Sequence, residues 1–295
     1  MEAKLLLDTQ NQLGEGAFWD WKANELIWID IENGSLHWYQ PQNKQKRSVK
    51  FDQKIGTVVP TTNANYVVAL QNGIHLWETK TAKLTLLAAP EKHLPQNRFN
   101  DGKADPQGRF WAGTMAMQNP DTQKTGALYC YANDSIRQMI TGVSISNGIT
   151  WSADSKKMYY IDTPTRQVQE FDFEPNTGNI AFNRVAVQVP DSLGYPDGMT
   201  IDQQGNLWIA LWGGYGVGCW QPQTGMLIDF VKVPAPHVTA CAFGGQQANE
   251  LFITTARVGL TEQQLLQYPQ SGGVFVCKTT ASGVKMPFYA VKDTK

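Results

Sequence analysis

The chain has 295 residues, 42% of them hydrophobic, with 25 Lys and Arg against 26 Asp and Glu. A net charge of −1 offers no basic excess to neutralise a phosphate backbone, so nucleic acid is not expected as a partner. No apolar run reaches the ~18 residues of a membrane span, and Cys130, Cys219, Cys241 and Cys277 form no C-x-x-C pair, which points to buried free thiols rather than zinc or a disulfide framework.

The N-terminal stretch AKLLLD, Ala3 to Asp8, is too short for the apolar region of a signal peptide and is read as a strand, with the protein expected in the cytoplasm. Six similar segments then recur along the chain: NELIWIDI from Asn24, NYVVALQ from Asn65, GRFWAGT from Gly108, KKMYYID from Lys156, GNLWIAL from Gly205 and NELFITT from Asn249. One central apolar residue from each (Trp28, Val68, Trp111, Tyr159, Trp208, Phe252) gives spacings of 40, 43, 48, 49 and 44 residues. A second strand follows each segment, as in GSLHWYQ after Asn33 or GVGCWQP after Tyr215. In most units a turn and a third strand come next, such as NTGNIAFNRVAV after Pro175. The one helical signal is TEQQLLQY, Thr261 to Tyr268.

Strand units repeating every 40–50 residues predict an all-β fold, a six-bladed β-propeller of about four strands per blade, because a lone blade cannot bury both its faces. With no Pro/Ser-rich linker to divide it, residues 1–295 read as a single domain; a β-sandwich or a pair of β-domains is the alternative. The initial AKLLLD strand is expected to join the last blade and close the ring, which would remove an exposed sheet edge.

The polar residues of the repeat carry the functional signal. Glu15-Gly16, Asp101-Gly102 (after Asn100), Asn147-Gly148 and Asp197-Gly198 each lie 10 to 13 residues before the apolar anchor of their unit. Equivalent positions in a radial repeat converge on the axis, so these side chains would meet at the channel mouth. Clustered oxygens of this kind suit a hard or borderline divalent cation, and without one the carboxylates would repel. Taken singly, Asn-Gly and Asp-Gly are also ordinary hairpin turns. Two units lack the dipeptide, and Thr57 and Thr239 are their nearest polar residues.

At LGEGAFWD (Leu13 to Asp20), NRFNDGKADPQGRFWAGTM (Asn97 to Met115), SNGITWS (Ser146 to Ser152), YPDGMTID (Tyr195 to Asp202) and FGG (Phe243 to Gly245), the sequence resembles the SMP-30/gluconolactonase/regucalcin family of six-bladed propellers. The resemblance runs almost end to end. It implies metal ligands at Glu15, Asn147 and Asp197, with Asn100 a further ligand or reaching the ion through water. It also implies substrate contacts from Arg98, Asn100 and Asp101, and hydrolysis of a sugar lactone. Where family members carry acids after GTM, this chain has Met117 and Gln118; Gln118 is the candidate for that substrate contact, and the departure bears on which sugar is taken.

On this reading one divalent ion (Ca, Zn, Mg, Mn or Fe) polarises the lactone carbonyl and positions a water. Asp197 is the candidate general base, Asp101 the second choice, and Arg98 orients the substrate through its donor fork; a blade-bridging ion pair is the plainer role for Arg98. The histidines form no triad, although His237 offers a distant possibility of a base. No G-x-S-x-G elbow is present. Trp212 and Tyr215 belong either to the blade core or to a lid over the pocket. Two other functions use the same fold: a metal-dependent phosphotriesterase or arylesterase, which an apolar mouth would favour, and a non-enzymatic calcium-binding or interaction propeller.

Overall fold

A computed structural model describes residues 1–291 of the chain. Its strands form six four-stranded antiparallel sheets, the six blades of a β-propeller. Five blades are made of consecutive strands: residues 14–50, 55–88, 97–143, 146–188 and 195–232. Blade 6 combines Val238–Gly244, Glu250–Thr255 and Val274–Lys278 with the N-terminal strand Lys4–Leu7, which pairs antiparallel to Val274–Lys278. The ring is thus closed by the first and last strands of the chain, as expected from the leftover N-terminal segment.

The first strand of each blade packs against its counterparts in neighbouring blades, so these six strands line the axis. The second strands read as continuous apolar runs (Leu26, Ile27, Trp28, Ile29; Leu207, Trp208, Ile209, Ala210, Leu211), all buried, because both faces of a blade are covered by adjoining blades. The outermost strands are exposed and mixed in composition, as in Gln45–Lys50 and Asn179–Gln188. Each fully buried large side chain contributes about 1.5–3 kcal/mol. Two of the tryptophans carry their polar end inward and satisfy it: Trp111 Nε1 donates to Asp105 Oδ2 at 2.9 Å and Trp208 Nε1 to Asp202 Oδ2 at 3.0 Å.

Every innermost strand slips register at the same level. The shifts fall between Glu15 and Phe18, Ile55 and Thr57, Phe99 and Gly102, Asn147 and Ile149, Pro196 and Met199, and Val238 and Ala240. A bulge of this kind adds a residue, bends the strand and re-aims a side chain. The acid- or amide-glycine dipeptides therefore lie inside strands, at bulges, and not in hairpin turns. The glycine allows close approach: a Cβ on Gly148 would stand 2.8 Å from the Asp197 carbonyl oxygen of the next blade.

The C-terminal segment crosses the face opposite the mouth, a course the repeats did not foretell. Gln203 N donates to Ser282 O, Tyr289 N to Pro60 O and Ala290 N to Gly108 O, tying blades 5, 2 and 3 together. The predicted helical turn is present as a short helix, Glu262–Gln267, with a capping box between Thr261 and Gln264. All four cysteines are buried and free.

Candidate functional site

Five residues after each bulge candidate comes a residue that closes the following turn. Asp20 Oδ1 accepts from the amides of Lys22 and Ala23, Asp105 Oδ1 from those of Gln107 and Arg109, and Asp202 Oδ1 from those of Gln204 and Asn206. Ser152 Oγ accepts from Lys157 N. Counting back five from Asp20, Asp105, Ser152 and Asp202 reaches Glu15, Asn100, Asn147 and Asp197. Asn100, and not Asp101, is the third-blade equivalent of the other three. The same count places Ile27 rather than Trp28 opposite the position of Trp111 and Trp208, which brings the distance from candidate to apolar anchor to 11 or 12 residues in all four blades.

Glu15, Asn100, Asn147 and Asp197 line one cavity of about 290 Å³ at the mouth of the channel, together with Arg98. All five are buried. Hydrogen bonds hold the amides from blade to blade. Arg98 Nη1 donates to Asn100 Oδ1 at 2.6 Å; Asn100 Nδ2 donates to Ser146 O at 2.8 Å and to Asn147 Oδ1 at 3.1 Å; Asn147 Nδ2 donates to Thr163 Oγ1 at 2.8 Å. Thr163 in turn donates to Pro196 O at 2.9 Å, beside Asp197. Thr163 was not evident from sequence, since it follows the second strand of blade 4 and belongs to none of the repeated dipeptides.

The two carboxylates lack comparable partners. Asp197 Oδ1 is buried with no hydrogen-bond partner among the described residues, and Glu15 Oε2 accepts from Gly16 N at 2.8 Å. Burial, then the neighbouring charge of Asp101, pushes the Glu15 carboxyl up to about 8. Burial and the charge of Glu15 lift Asp197 well above the usual carboxylate range. Burial also lowers Arg98 from its ordinary value, against the pull of Glu32, Glu15 and Asp197.

A buried carboxylate oxygen left unpartnered beside a second carboxylate costs several kcal/mol unless it is protonated or given a cation. Two carboxylates and amide oxygens form an all-oxygen donor set of mixed charge, which fits a hard divalent ion. No three His, Cys, Asp or Glu side chains cluster among the described residues, so the candidate set depends on its amides.

Two sequence candidates stand elsewhere. Asp101 lies one level down, in the narrow channel below the mouth, alongside Lys103 and Cys241. It accepts from Gly102 N at 2.7 Å, and burial raises its carboxyl against the opposing pull of Lys103. Lys103 Nζ donates to Met199 O. Gln118 is exposed and does not line the cavity; Asp121, three residues on, does.

The threonines of blades 2 and 6 also turn away from the cavity. Thr57 Oγ1 donates to Gly102 O at 2.9 Å and Thr239 Oγ1 to Gly14 O. Blade 2 has Gly56 at the candidate position, where a Cβ would meet the Phe99 carbonyl at 2.4 Å, so no side chain fits.

The upper wall is apolar: Leu13, Met115, Ile145, Tyr195 and Trp212. Tyr195 and Trp212 are directly paired across two strands of blade 5. Trp212 stacks on His237 with ring centroids 4.0 Å apart. Burial lowers His237 to about 4, so it is neutral at pH 7, and it is not among the cavity-lining residues. Tyr215 packs against Tyr268, centroids 5.4 Å apart, outside the cavity.

The SMP-30/Gluconolactonase/LRE-like family model matches residues 13–257. A putative sugar lactone lactonase, YvrE, of Bacillus subtilis is 37% identical over 290 residues, covering 98% of this chain and 99% of that protein. Regucalcin of Xenopus laevis is 36% identical over 278 residues, 93% of this chain and 92% of its own. Among solved structures, a regucalcin of Agrobacterium tumefaciens, described as a calcium-binding protein, superposes with a TM-score of 0.93 at 28% identity, over 98% of this chain and 97% of its own.

Proposed function

The chain belongs to the SMP-30/gluconolactonase/LRE-like family, and we propose from that premise that it is a hydrolase opening a sugar lactone to the free acid. The observation that carries this reading is the orphaned Asp197 Oδ1 in the same buried cavity as Glu15, a pair that suits a divalent ion. Glu15, Asn147 and Asp197 would hold it, with Asn100 at its side. When bound, such an ion supplies Lewis-acid polarisation of an ester carbonyl and lowers the pKa of water.

The chain's own residues account for the rest. Arg98, fixed by its bond to Asn100, presents the remaining edge of its guanidinium to ring or hydroxyl oxygens of the substrate. Asp197 is the general base, taking a proton from the attacking water on the carboxylate oxygen that does not face the ion. Water adds to the acyl carbon, the bond from that carbon to the ring oxygen breaks, and the ring oxygen leaves as a hydroxyl. Asp101, below the mouth, sets the charge felt by Glu15 instead of meeting substrate. The apolar wall excludes water from the carbonyl, where fixed donors are then worth more.

The same wall supports a second reading, an ester with an aryl group against Tyr195 and Trp212. Metal-stripped protein, assayed on glucono-, galactono-, xylono- and arabinonolactone and on phenyl acetate with each divalent ion restored in turn, separates the two. Lactone turnover that returns with one ion and vanishes in Asp197→Ala supports the first. Turnover of phenyl acetate alone supports the second, and turnover of neither removes both carboxylic-ester readings.

A further inference from the structure

Arg98 belongs to two cavities at once. Besides the mouth cavity of about 290 Å³, it lines a larger one of about 400 Å³ between blades 2 and 3. That second cavity shares Asp52, Gln53 and Gln71 with a third, of about 350 Å³, lying over blades 1 and 2. Arg98 is therefore the partition between the mouth and a row of neighbouring cavities, here called the trough, lying outward over blades 2 and 1 on the upper face. The mouth cavity alone is at the lower end of the ~300–1,000 Å³ that small-molecule sites occupy. A single lactone ring fits within it and does not reach the space beyond Arg98.

The chemistry of the trough differs from that of the opposite rim. Towards blade 5 a substituent meets Tyr195 and Trp212. Towards blade 2 it meets Gln71, Asn72 and Lys92, whose side chains make no hydrogen bond within the described residues. Side-chain amides offer donor and acceptor together, which suits hydroxyl groups. The trough wall is also pre-formed. Glu91 receives Asn97 Nδ2 at 2.9 Å, Thr114 Oγ1 at 2.7 Å and Tyr129 OH at 3.0 Å. Gln53 Oε1 accepts Asn72 N at 3.1 Å. A wall already ordered loses little entropy when a ligand arrives.

We infer that the site takes a lactone bearing a second hydroxylated unit, a glycosylated aldonolactone, with the lactone ring at Asp197 and the second sugar beyond Arg98 along Gln71 and Lys92. This rests on the lactonase reading of the mouth. The glycosyl unit remains attached throughout; only the bond from acyl carbon to ring oxygen is cleaved.

The test compares maltobionolactone with gluconolactone, for wild type and for the double variant Gln71→Ala/Lys92→Ala, neither residue touching the mouth cavity. The expected result is a higher kcat/KM for maltobionolactone in the wild type, carried by KM. The variant should lose about tenfold on that substrate, the worth of one or two hydrogen bonds, and stay within about twofold on gluconolactone. Equal kcat/KM for both lactones in the wild type, or an equal loss on both in the variant, overturns the inference. If neither lactone is hydrolysed, the lactonase reading fails, and calorimetry with maltobionic acid tests the trough alone. Binding that the variant abolishes upholds the trough as a sugar site; no binding to the wild type overturns it.

Discussion

Asn100 Nδ2 reaches across from blade 3 to donate to Asn147 Oδ1 of blade 4 at 3.1 Å, while its own Oδ1 accepts from Arg98 at 2.6 Å. One amide thus fixes the direction of a candidate metal ligand and of the candidate substrate-binding guanidinium. Replacement by Ala removes both supports and leaves Arg98, among the described residues, with the Phe99 carbonyl as its one hydrogen-bond partner. Asn100→Ala is expected to lower lactone kcat/KM on the order of 10²-fold, with a loss of about 1–2 kcal/mol in stability. Asn100→Asp should do no better, because it turns two donated bonds into repulsions with the Ser146 and Asn147 oxygens. Steady-state kinetics and urea melts of the two variants check this.

Function and stability should separate at Asp197. Its carboxylate is buried, lies near Glu15 and has one oxygen without a partner. In metal-free protein Asp197→Asn removes a buried carboxyl that is costly whether it is charged or forced to hold a proton, and supplies a donor, so the variant should melt higher than wild type, by about 1–3 kcal/mol. Lactone turnover should fall at least ~10³-fold, since the general base is lost. Adding a divalent ion at 100 times its dissociation constant should stabilise the wild type by about 2.7 kcal/mol and leave the Glu15→Gln/Asp197→Asn double variant unmoved. Thermal melts in chelator and with added ion read both effects. A variant that melts lower than wild type in chelator would show that the unpartnered oxygen is not a source of strain.

The fold was legible because each second strand is buried on both faces and so reads as an apolar run, six times over. The closing strand followed from one leftover segment, Lys4–Leu7. Finer placement was not legible, because an acid followed by glycine is a misleading marker of position. The bulges of blades 3 and 5 have the same register, and Asn100 precedes Trp111 by the same 11 residues that separate Asp197 from Trp208, so Asn100 holds the equivalent place and Asp101 resembles Asp197 only in being followed by glycine. Turn-closing residues resolve it: Asp105 and Asp202 each follow their candidate by five residues, a signal present in the sequence but meaningful only once the turns are seen. Gln118 stands in sequence where family members carry an acid, but the loop after Met115 carries it out to solvent and brings Asp121 to the rim. The apolar wall had no signature, since Leu13, Ile145 and Tyr195 come from three blades and only their convergence makes a surface.

His237 should give the protein an acid-sensitive step. Its ring stacks on Trp212, its Nδ1 is buried without a partner among the described residues, and burial lowers its pKa to about 4. A histidine whose folded pKa lies below the unfolded 6.5 contributes stability that is full above about 6.5 and lost as pH falls towards 4. Because the ring is partly open to water, solvent screening reduces the effect to about 1–2 kcal/mol, a few degrees of melting temperature. His237→Phe keeps the stack and has no proton to gain. Its melting temperature should change less than that of wild type between pH 7 and 5, and curves of equal slope would place the acid sensitivity elsewhere.

Ring closure by the N-terminal strand is the remaining mechanical prediction. Lys4, Leu5 and Leu7 pair with Val276, Phe275 and Val274, and Leu7 is buried in a cluster with Trp19, Trp28 and Phe252. Truncating Leu7 to Ala removes buried apolar volume where the surrounding aromatic rings cannot collapse, so a loss of about 2–4 kcal/mol is expected. Deleting residues 1–8 should cost more than that side chain alone. It frees the edge of Val274–Lys278 and removes the contacts of Met1 and Ala3 with Phe230 and Lys232 in blade 5. An unpaired strand edge is a template for another chain, so the truncated protein should melt at least ~10 °C lower and elute as aggregate on size exclusion. Leu7→Ala, with the edge still paired, should remain monodisperse, or at least in the wild-type oligomeric state. If the deletion melts and elutes like wild type, the strand is an ornament of blade 6 and the ring is held by the contacts of the innermost strands alone.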